Sequence, residues 1–210
     1  MRTTRLFLDL GMVTVRLDMQ RCIRAFEQLG VKDVGKQISN SRQYGLFSAI
    51  ELGTMTNADF FDEMRRQHAI TATDEQIADA WNAFILDTPV ELQQLIKQVR
   101  AKMKTYILSN TNQLHYDYWH DVCMGGEGGA TVEECFDKVY LSNELHLAKP
   151  DAEIYQAILA DCGAKPEECL YLDDNAANVA AAKSLGWDAH VCANPEETIE
   201  RLKMLLYNVK

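Results

Sequence analysis

Several polar side chains stand where apolar runs end, and their types suit one chemistry. Asp9 closes a first run, Ser109 and Asn110 close a second, and Asp173 and Asp174 close a fourth. Lys149 follows the third and directly precedes a helical pattern. Three carboxylates brought into one cleft repel each other unless a cation neutralises them. Mg²⁺ suits hard oxygen ligands, taking one or two carboxylates and leaving room for water and phosphate oxygens. A carboxylate there can attack phosphorus and form an aspartyl-phosphate, while the hydroxyl and the ammonium hold the remaining phosphoryl oxygens. Each residue also has a plainer use: Asp9 as a polar strand end, and Asp173 and Asp174 as caps of the helix that follows.

These residues meet only if the chain folds so that its strand ends converge. The runs RLFLDL (5–10), TYILSN (105–110), KVYLSN (138–143), CLYLDD (169–174) and DAHVC (188–192) read as five buried strands. Helical patterns separate them, at 89–102, 151–163, 175–186 and 195–209, two of them stopped by Gly163 and Gly186. Such alternation predicts an α/β fold: a doubly wound, Rossmann-like parallel sheet covered on both faces, with ligands at the carboxyl ends of the strands. Residues 16–88 break the alternation. They hold helical patterns only, two of them opened by Thr56 with Asp59 and Thr73 with Gln76. The expected organisation is an α/β core of residues 1–15 and 89–210, with 16–88 inserted as an all-helical cap. The Gly-rich stretch MGGEGGAT (124–131) lacks the spacing of a dinucleotide fingerprint and reads as a flexible surface loop.

Composition narrows the partners. The chain has 210 residues, 47% hydrophobic and 25% charged, the balance of a globular protein with a full core. Its net charge of −10 repels nucleic acid and anionic membrane, so an anion site has to be locally positive. The apolar stretch before Asp9 is too short for a signal-peptide core, and no run approaches a membrane span, which predicts a cytoplasmic protein. The six cysteines show no CxxC pair and no zinc spacing, and read as reduced, mostly buried thiols.

In order along the chain, LFLDLGMV, YILSN, the Lys149 segment AKP and YLDDNAANVAAAKSLG resemble the four motifs of the haloacid dehalogenase superfamily of hydrolases. The resemblance covers nearly the whole chain, the helical insert being similar to the small C1-type cap, and is nearest in flavour to the DLGxV members. It implies Asp9 as nucleophile and Mg²⁺ ligand, the backbone carbonyl of Gly11 as a second ligand, and Asp174 as a direct ligand, with Asp173 helping directly or through water. It implies further that Ser109 and the neighbouring Asn110 amides hold phosphate and that Lys149 steadies phosphate and Asp9 together. The expected activity is a Mg²⁺-dependent phosphatase acting on a small phosphorylated metabolite. Alternatives are a 2-haloacid dehalogenase, in which Asp9 attacks carbon without Mg²⁺, and a non-catalytic protein that binds a phosphate ligand.

One departure from the pattern matters. Phosphatases of this family usually carry a second Asp two residues after the nucleophile, as the acid that protonates the leaving group; here Gly11 stands there. Either the cap supplies an acid, or the substrate needs little help, or activity is low or absent. Asn178 replaces a further Asp of the fourth motif and can still orient its neighbours. His115 and His120 read as surface groups or as supports for other residues, and His146 more readily as a group outside the cleft than as one approaching it. Arg16, Arg42, Tyr44 and the Trp81–Asn82 pair are cap groups placed to meet substrate, with Trp81 reading more readily as core. Met12 and Thr14 follow the nucleophile as candidate cleft lining.

Overall fold

The computed structural model describes residues 3–36 and 45–208. In chain order, strand β1 is Arg5–Leu8, and helices α1 (Met19–Gln28), α2 (Leu46–Glu51), α3 (Asn57–His68) and α4 (Asp74–Asn82) follow it. Helix α5 (Val90–Arg100) leads into β2 (Lys104–Ser109), and α6 (Gln113–Tyr118) and α7 (Val132–Cys135) lead to β3 (Lys138–Leu141). Then come α8 (Ser142–Leu145), α9 (Ala152–Cys162), β4 (Cys169–Asp173), α10 (Ala176–Ser184), β5 (Asp188–Val191) and α11 (Pro195–Asn208). The five strands form one sheet in the order β3-β2-β1-β4-β5, every pair parallel.

The sheet carries apolar residues on both faces, as a parallel sheet covered by helices must. Leu6 and Leu8 of β1 join one apolar cluster, which includes α1, α4 and α5, while Phe7 joins the other, with Ile154 and Tyr155 of α9 and Trp187. The chain leaves β1 towards β2 on one side, and β4 pairs on the other. The sheet therefore changes direction at β1, where a crevice opens beyond the strand ends. Pairing continues one residue past the strand: Asp9 N–H donates to the Leu172 carbonyl at 2.9 Å, which sets Asp9 beside Asp173.

The strands are shorter than the apolar runs suggest. Ser142 and Asn143, expected as the end of the third strand, start α8 instead. Thr73 and Gln76 form a full capping box on α4, whereas at α3 only the Thr56 half exists, its hydroxyl accepting from Asp59 N–H. Gly163 ends α9 in the left-handed conformation, φ 62°. The Gly-rich loop is a surface loop, but it is tied down. The buried Gln93 side chain accepts from the Ala130 and Gly125 N–H groups and donates to the Thr88 and Cys123 carbonyls, and Gln94 donates to Gly128 and Gly129.

Among the described residues, 16–88 contain helices and no strand. Their aromatic interior (Phe26, Phe47, Phe60 and Trp81) belongs to the same apolar cluster as the β1–α5 face of the sheet. The end of α2 is seated on the core. Ser142 Oγ donates to the Glu51 carbonyl at 2.6 Å, His146 Nδ1 lies 3.1 Å from the Leu52 carbonyl, and Gly53 packs on Asn143. At Gly53, φ is +65° and an added Cβ would overlap the Asn143 carbonyl oxygen. Gly53→Ala is therefore expected to lower unfolding free energy by at least about 1 kcal/mol, measured by urea denaturation. A variant as stable as the parent would show that this seat is loose.

Candidate active site

At the crevice the end of β1 meets the ends of β2 and β4, and one buried ammonium ties them together. Lys149 Nζ lies 2.8 Å from Asp9 Oδ1 and 2.8 Å from Asp173 Oδ2, and donates to the Leu108 carbonyl at 3.0 Å. Its position is set from β2: Asn110 accepts from the Lys149 N–H at 2.9 Å and donates to the Lys149 carbonyl at 2.8 Å. Burial pulls the lysine pKa down, but Asp173 and Asp9 outweigh it, so the ammonium stays charged. All three of its hydrogens are engaged. A direct bond from Lys149 to phosphate thus requires exchange of one of these partners.

The two sides of Asp9 differ. Oδ1 accepts from Lys149 and from the Leu10 N–H at 2.7 Å, whereas Oδ2 has no partner among the described residues. Burial, and then the charges of Asp173 and Asp174, push the Asp9 carboxyl well above the usual carboxylate range, against the opposing pull of Lys149. Asp174, half-buried, is pushed up to about 6 by burial and by Asp173. Asp173 is held low: burial is outweighed by Lys149 and by hydrogen bonds. Its Oδ2 also accepts from the Tyr171 hydroxyl, and its Oδ1 accepts from Asn175 N–H and from the Asn178 amide.

A cavity of about 570 Å³ opens over these groups, walled among the described residues by Asp9, Gly11, Ser109, Lys149, Asp174 and the α2 residue Glu51, with others. Asp9, Asp173 and Asp174 offer carboxylate oxygens within 4.8 Å of one another. One ammonium does not neutralise three carboxylates, and the raised Asp9 and Asp174 express that deficit. A hard divalent cation suits such a donor set. Asp9 and Asp174 have free lone pairs facing that need. The Gly11 carbonyl keeps one lone pair beyond its bond from Val13 N–H at 2.7 Å. Asp173, with both oxygens engaged and no exposed surface, is not part of the cavity wall.

Other expected residues are placed as follows. Met12 lines the cavity and has φ 61°, so the left-handed residue of this turn is Met12 and not Gly11. Thr14 is buried and donates to the Leu10 carbonyl at 2.7 Å, away from the cavity. Arg16 is engaged by Asp87 and Glu196 at the surface, and Trp81 and Asn82 are buried in α4. His146 lies against the end of α2 rather than in the cleft, and His120 is a surface group between Asp121 and Glu133. Arg42 and Tyr44 lie outside the described residues. Asn178 orients Asp173, as its position in the fourth motif implies.

Of the two places expected for His115, surface or support, burial excludes the first: it is 4.4 Å from Trp81 and 4.8 Å from Phe84 between ring centroids, and also borders the cavity. Its apolar company comes from α4 and the turn after it, more than 30 residues earlier, which spacing within α6 does not reveal. Glu51, Ser142 and Thr111, all on the cavity wall, were not singled out by sequence either. Their signal is only that acids and hydroxyls close helices and strands, which is common everywhere.

Comparison with known proteins gives the family. Residues 18–186 match the family of haloacid dehalogenase-like hydrolases. The chain belongs to that family. It is similar to a D-ribitol-5-phosphate phosphatase of Bacteroides thetaiotaomicron, 28% identical, the match covering 94% of this chain and 96% of that protein. A haloacid-dehalogenase-family enzyme of the same organism, solved with magnesium and inorganic phosphate, superposes with a TM-score of 0.84 at 34% identity, over 90% of this chain and 94% of that one. A predicted hydrolase of the family from Porphyromonas gingivalis gives 0.89 at 32% identity, over 98% of both chains. The chain is thus a hydrolase with the family's α/β fold. Among the described residues, no helix is long and apolar enough to cross a membrane.

The burial of His115 has a consequence for acid stability. Asn112 donates to Nδ1 while its Oδ1 accepts from the His115 backbone N–H, which fixes the ring as the neutral Nε2–H form. Burial depresses the imidazole pKa to about 3. A depressed pKa stabilises the fold above the unfolded value and loses that stabilisation as pH falls, by up to about 1.4 kcal/mol per pH unit. His115→Gln should therefore lose roughly 2 kcal/mol less than the parent between pH 6.5 and 4.5, compared by denaturant titration at each pH. Identical pH slopes would contradict a buried neutral His115.

Proposed function

We propose that this hydrolase is a Mg²⁺-dependent phosphatase that releases inorganic phosphate from a small phosphorylated metabolite, with Asp9 as the phosphoryl acceptor. The observation that carries the reading is the asymmetry of Asp9: one oxygen is clamped by Lys149 and the Leu10 N–H, and the other is unpartnered at the wall of the cavity. Asp9 Oδ2 attacks phosphorus while the bond to the leaving oxygen breaks, giving an aspartyl-phosphate. Lys149 favours the ionised carboxylate that this attack needs. Ser109 Oγ and the Asn110 backbone amide take phosphoryl oxygens at the end of β2. Water then attacks phosphorus, phosphate leaves and Asp9 is restored.

Asp9, Asp174 and the Gly11 carbonyl would hold the Mg²⁺, with Asp173 acting behind them on Lys149. When bound, the cation offsets the negative charge gathered between carboxylates and phosphate. The relative that hydrolyses D-ribitol 5-phosphate supports a sugar-alcohol phosphate as the first substrate to try. The acidic surface disfavours nucleic acid and anionic membrane as partners. The six free thiols suit a reducing cytoplasm. We further assign residues 16–88 as the cap and 1–15 with 89–210 as the core.

The test is phosphate release from 4-nitrophenyl phosphate and from a panel of sugar and sugar-alcohol phosphates, with Mg²⁺ or with EDTA. Turnover should require Mg²⁺. Asp9→Asn should lower it by at least about 10³-fold without changing the melting temperature appreciably. Asp174→Ala should weaken Mg²⁺ binding and activity together. EDTA-resistant turnover or an active Asp9→Asn variant would overturn the proposal. Halide release from a 2-haloacid without Mg²⁺ would establish the dehalogenase instead, and phosphate-ester binding without turnover the non-catalytic protein.

A further inference from the structure

We propose that Glu51, the last residue of cap helix α2, is the acid that protonates the leaving oxygen, standing in for the carboxyl that Gly11 lacks. The inference rests on the phosphatase reading above and deepens it. Glu51 lines the same cavity as Asp9 and Gly11, with Ser48 and Leu52 of the cap around it. Its carboxyl has no hydrogen-bond or ion-pair partner among the described residues, although the surface acids of neighbouring α3 are largely engaged by arginines. The backbone beneath it is anchored to the core: Ser142 Oγ holds its carbonyl, His146 lies against the Leu52 carbonyl, and Gly53 admits the close approach of Asn143. An unpaired carboxyl on a fixed backbone, over the nucleophile's cavity, has the placement that an acid for the departing oxygen requires.

Protonation agrees with the role. Burial pushes the Glu51 carboxyl up to about 8, so that near neutral pH it carries the proton it would donate. As the Asp9–phosphorus bond forms and the phosphorus–oxygen bond breaks, Glu51 gives its proton to the leaving oxygen. The alcohol departs neutral and Glu51 is left as a carboxylate. When water attacks the phosphorus of the aspartyl-phosphate, Glu51 takes a proton from that water. Phosphate is released, and both carboxyl groups return to their starting states. An alkoxide is a poor leaving group, so a sugar-alcohol phosphate needs this donation more than an aryl phosphate does.

The experiment compares kcat/KM for two aryl phosphates of like shape, phenyl phosphate and 4-nitrophenyl phosphate, with Mg²⁺, in the parent, Glu51→Gln and Glu51→Asp. Neither ligand carries a sugar hydroxyl, so loss of a substrate-binding contact does not mimic loss of the acid. Glu51→Gln should lower kcat/KM for phenyl phosphate by about 10²-fold and for 4-nitrophenyl phosphate by less than about threefold. Glu51→Asp, which keeps an acid on a shorter stem, should fall between parent and Gln on phenyl phosphate. An unchanged melting temperature reports an intact fold in each variant. Equal losses on the two esters, or no loss on either, would overturn the assignment of Glu51. A parent enzyme inactive on 4-nitrophenyl phosphate with Mg²⁺ would instead overturn the phosphatase reading itself.

Discussion

A single buried ammonium decides how this site is built. Lys149 is 5% exposed and sits between Asp9 and Asp173, with the Leu108 carbonyl as its third partner. Burying such charges costs several kcal/mol for each ion unless they meet in good geometry, and removing one partner leaves the others uncompensated. The ends of β1, β2 and β4 must therefore lie at the distances that let one lysine reach all three. Parallel pairing supplies that: β1 pairs with β2 on one side and β4 on the other, and one further hydrogen bond carries Asp9 level with Asp173. The Asn110 side chain, bonded twice to the backbone of Lys149, keeps the lysine from relaxing out of this arrangement.

The same charge divides labour among the acids. Asp173 faces inward, is saturated by Lys149, Tyr171, Asn175 and Asn178, and stays ionised behind the site. Asp174, one residue later, turns to the cavity. Asp9 stands between them with one oxygen fixed and one available. Helices α1 and α2 complete the enclosure. Helices α1 to α4 are not an independent lobe, because their aromatic cluster runs through Trp81 onto His115 of α6 and the end of α2 is bonded to Ser142. That continuity seats Glu51 on the wall of the cavity that Asp9 also lines.

Strand ends were legible in the sequence because a parallel sheet gathers them at one edge, and that alone brings Asp9, Ser109, Lys149 and Asp174 together. The five strands and the all-helical stretch followed from period and composition in the same way. What sequence did not reveal depends on distant partners. Asp173 and Asp174 are chemically identical neighbours, and only the alternation of β4 against Lys149 separates the inward acid from the outward one. Glu51 is one acid among 31 Asp and Glu residues until α2 docks on Ser142 and Asn143. The Gly-rich loop reads as mobile until Gln93, more than 30 residues earlier, is seen to hold its backbone. His115 reads equally as a surface or a supporting residue until α4 lays Trp81 against it.

In the proposed mechanism Asp9 itself carries the phosphoryl group during turnover. Acid-quenching the parent enzyme within a single turnover of a phosphate ester with Mg²⁺, then mapping covalent phosphate by peptide mass spectrometry, addresses it directly. One acid-stable, base-labile phosphoryl group on the peptide that contains Asp9, formed and lost at rates that account for turnover, is the predicted result. Turnover with no covalent phosphate at any time point, or with the phosphoryl group on another residue, would contradict the account.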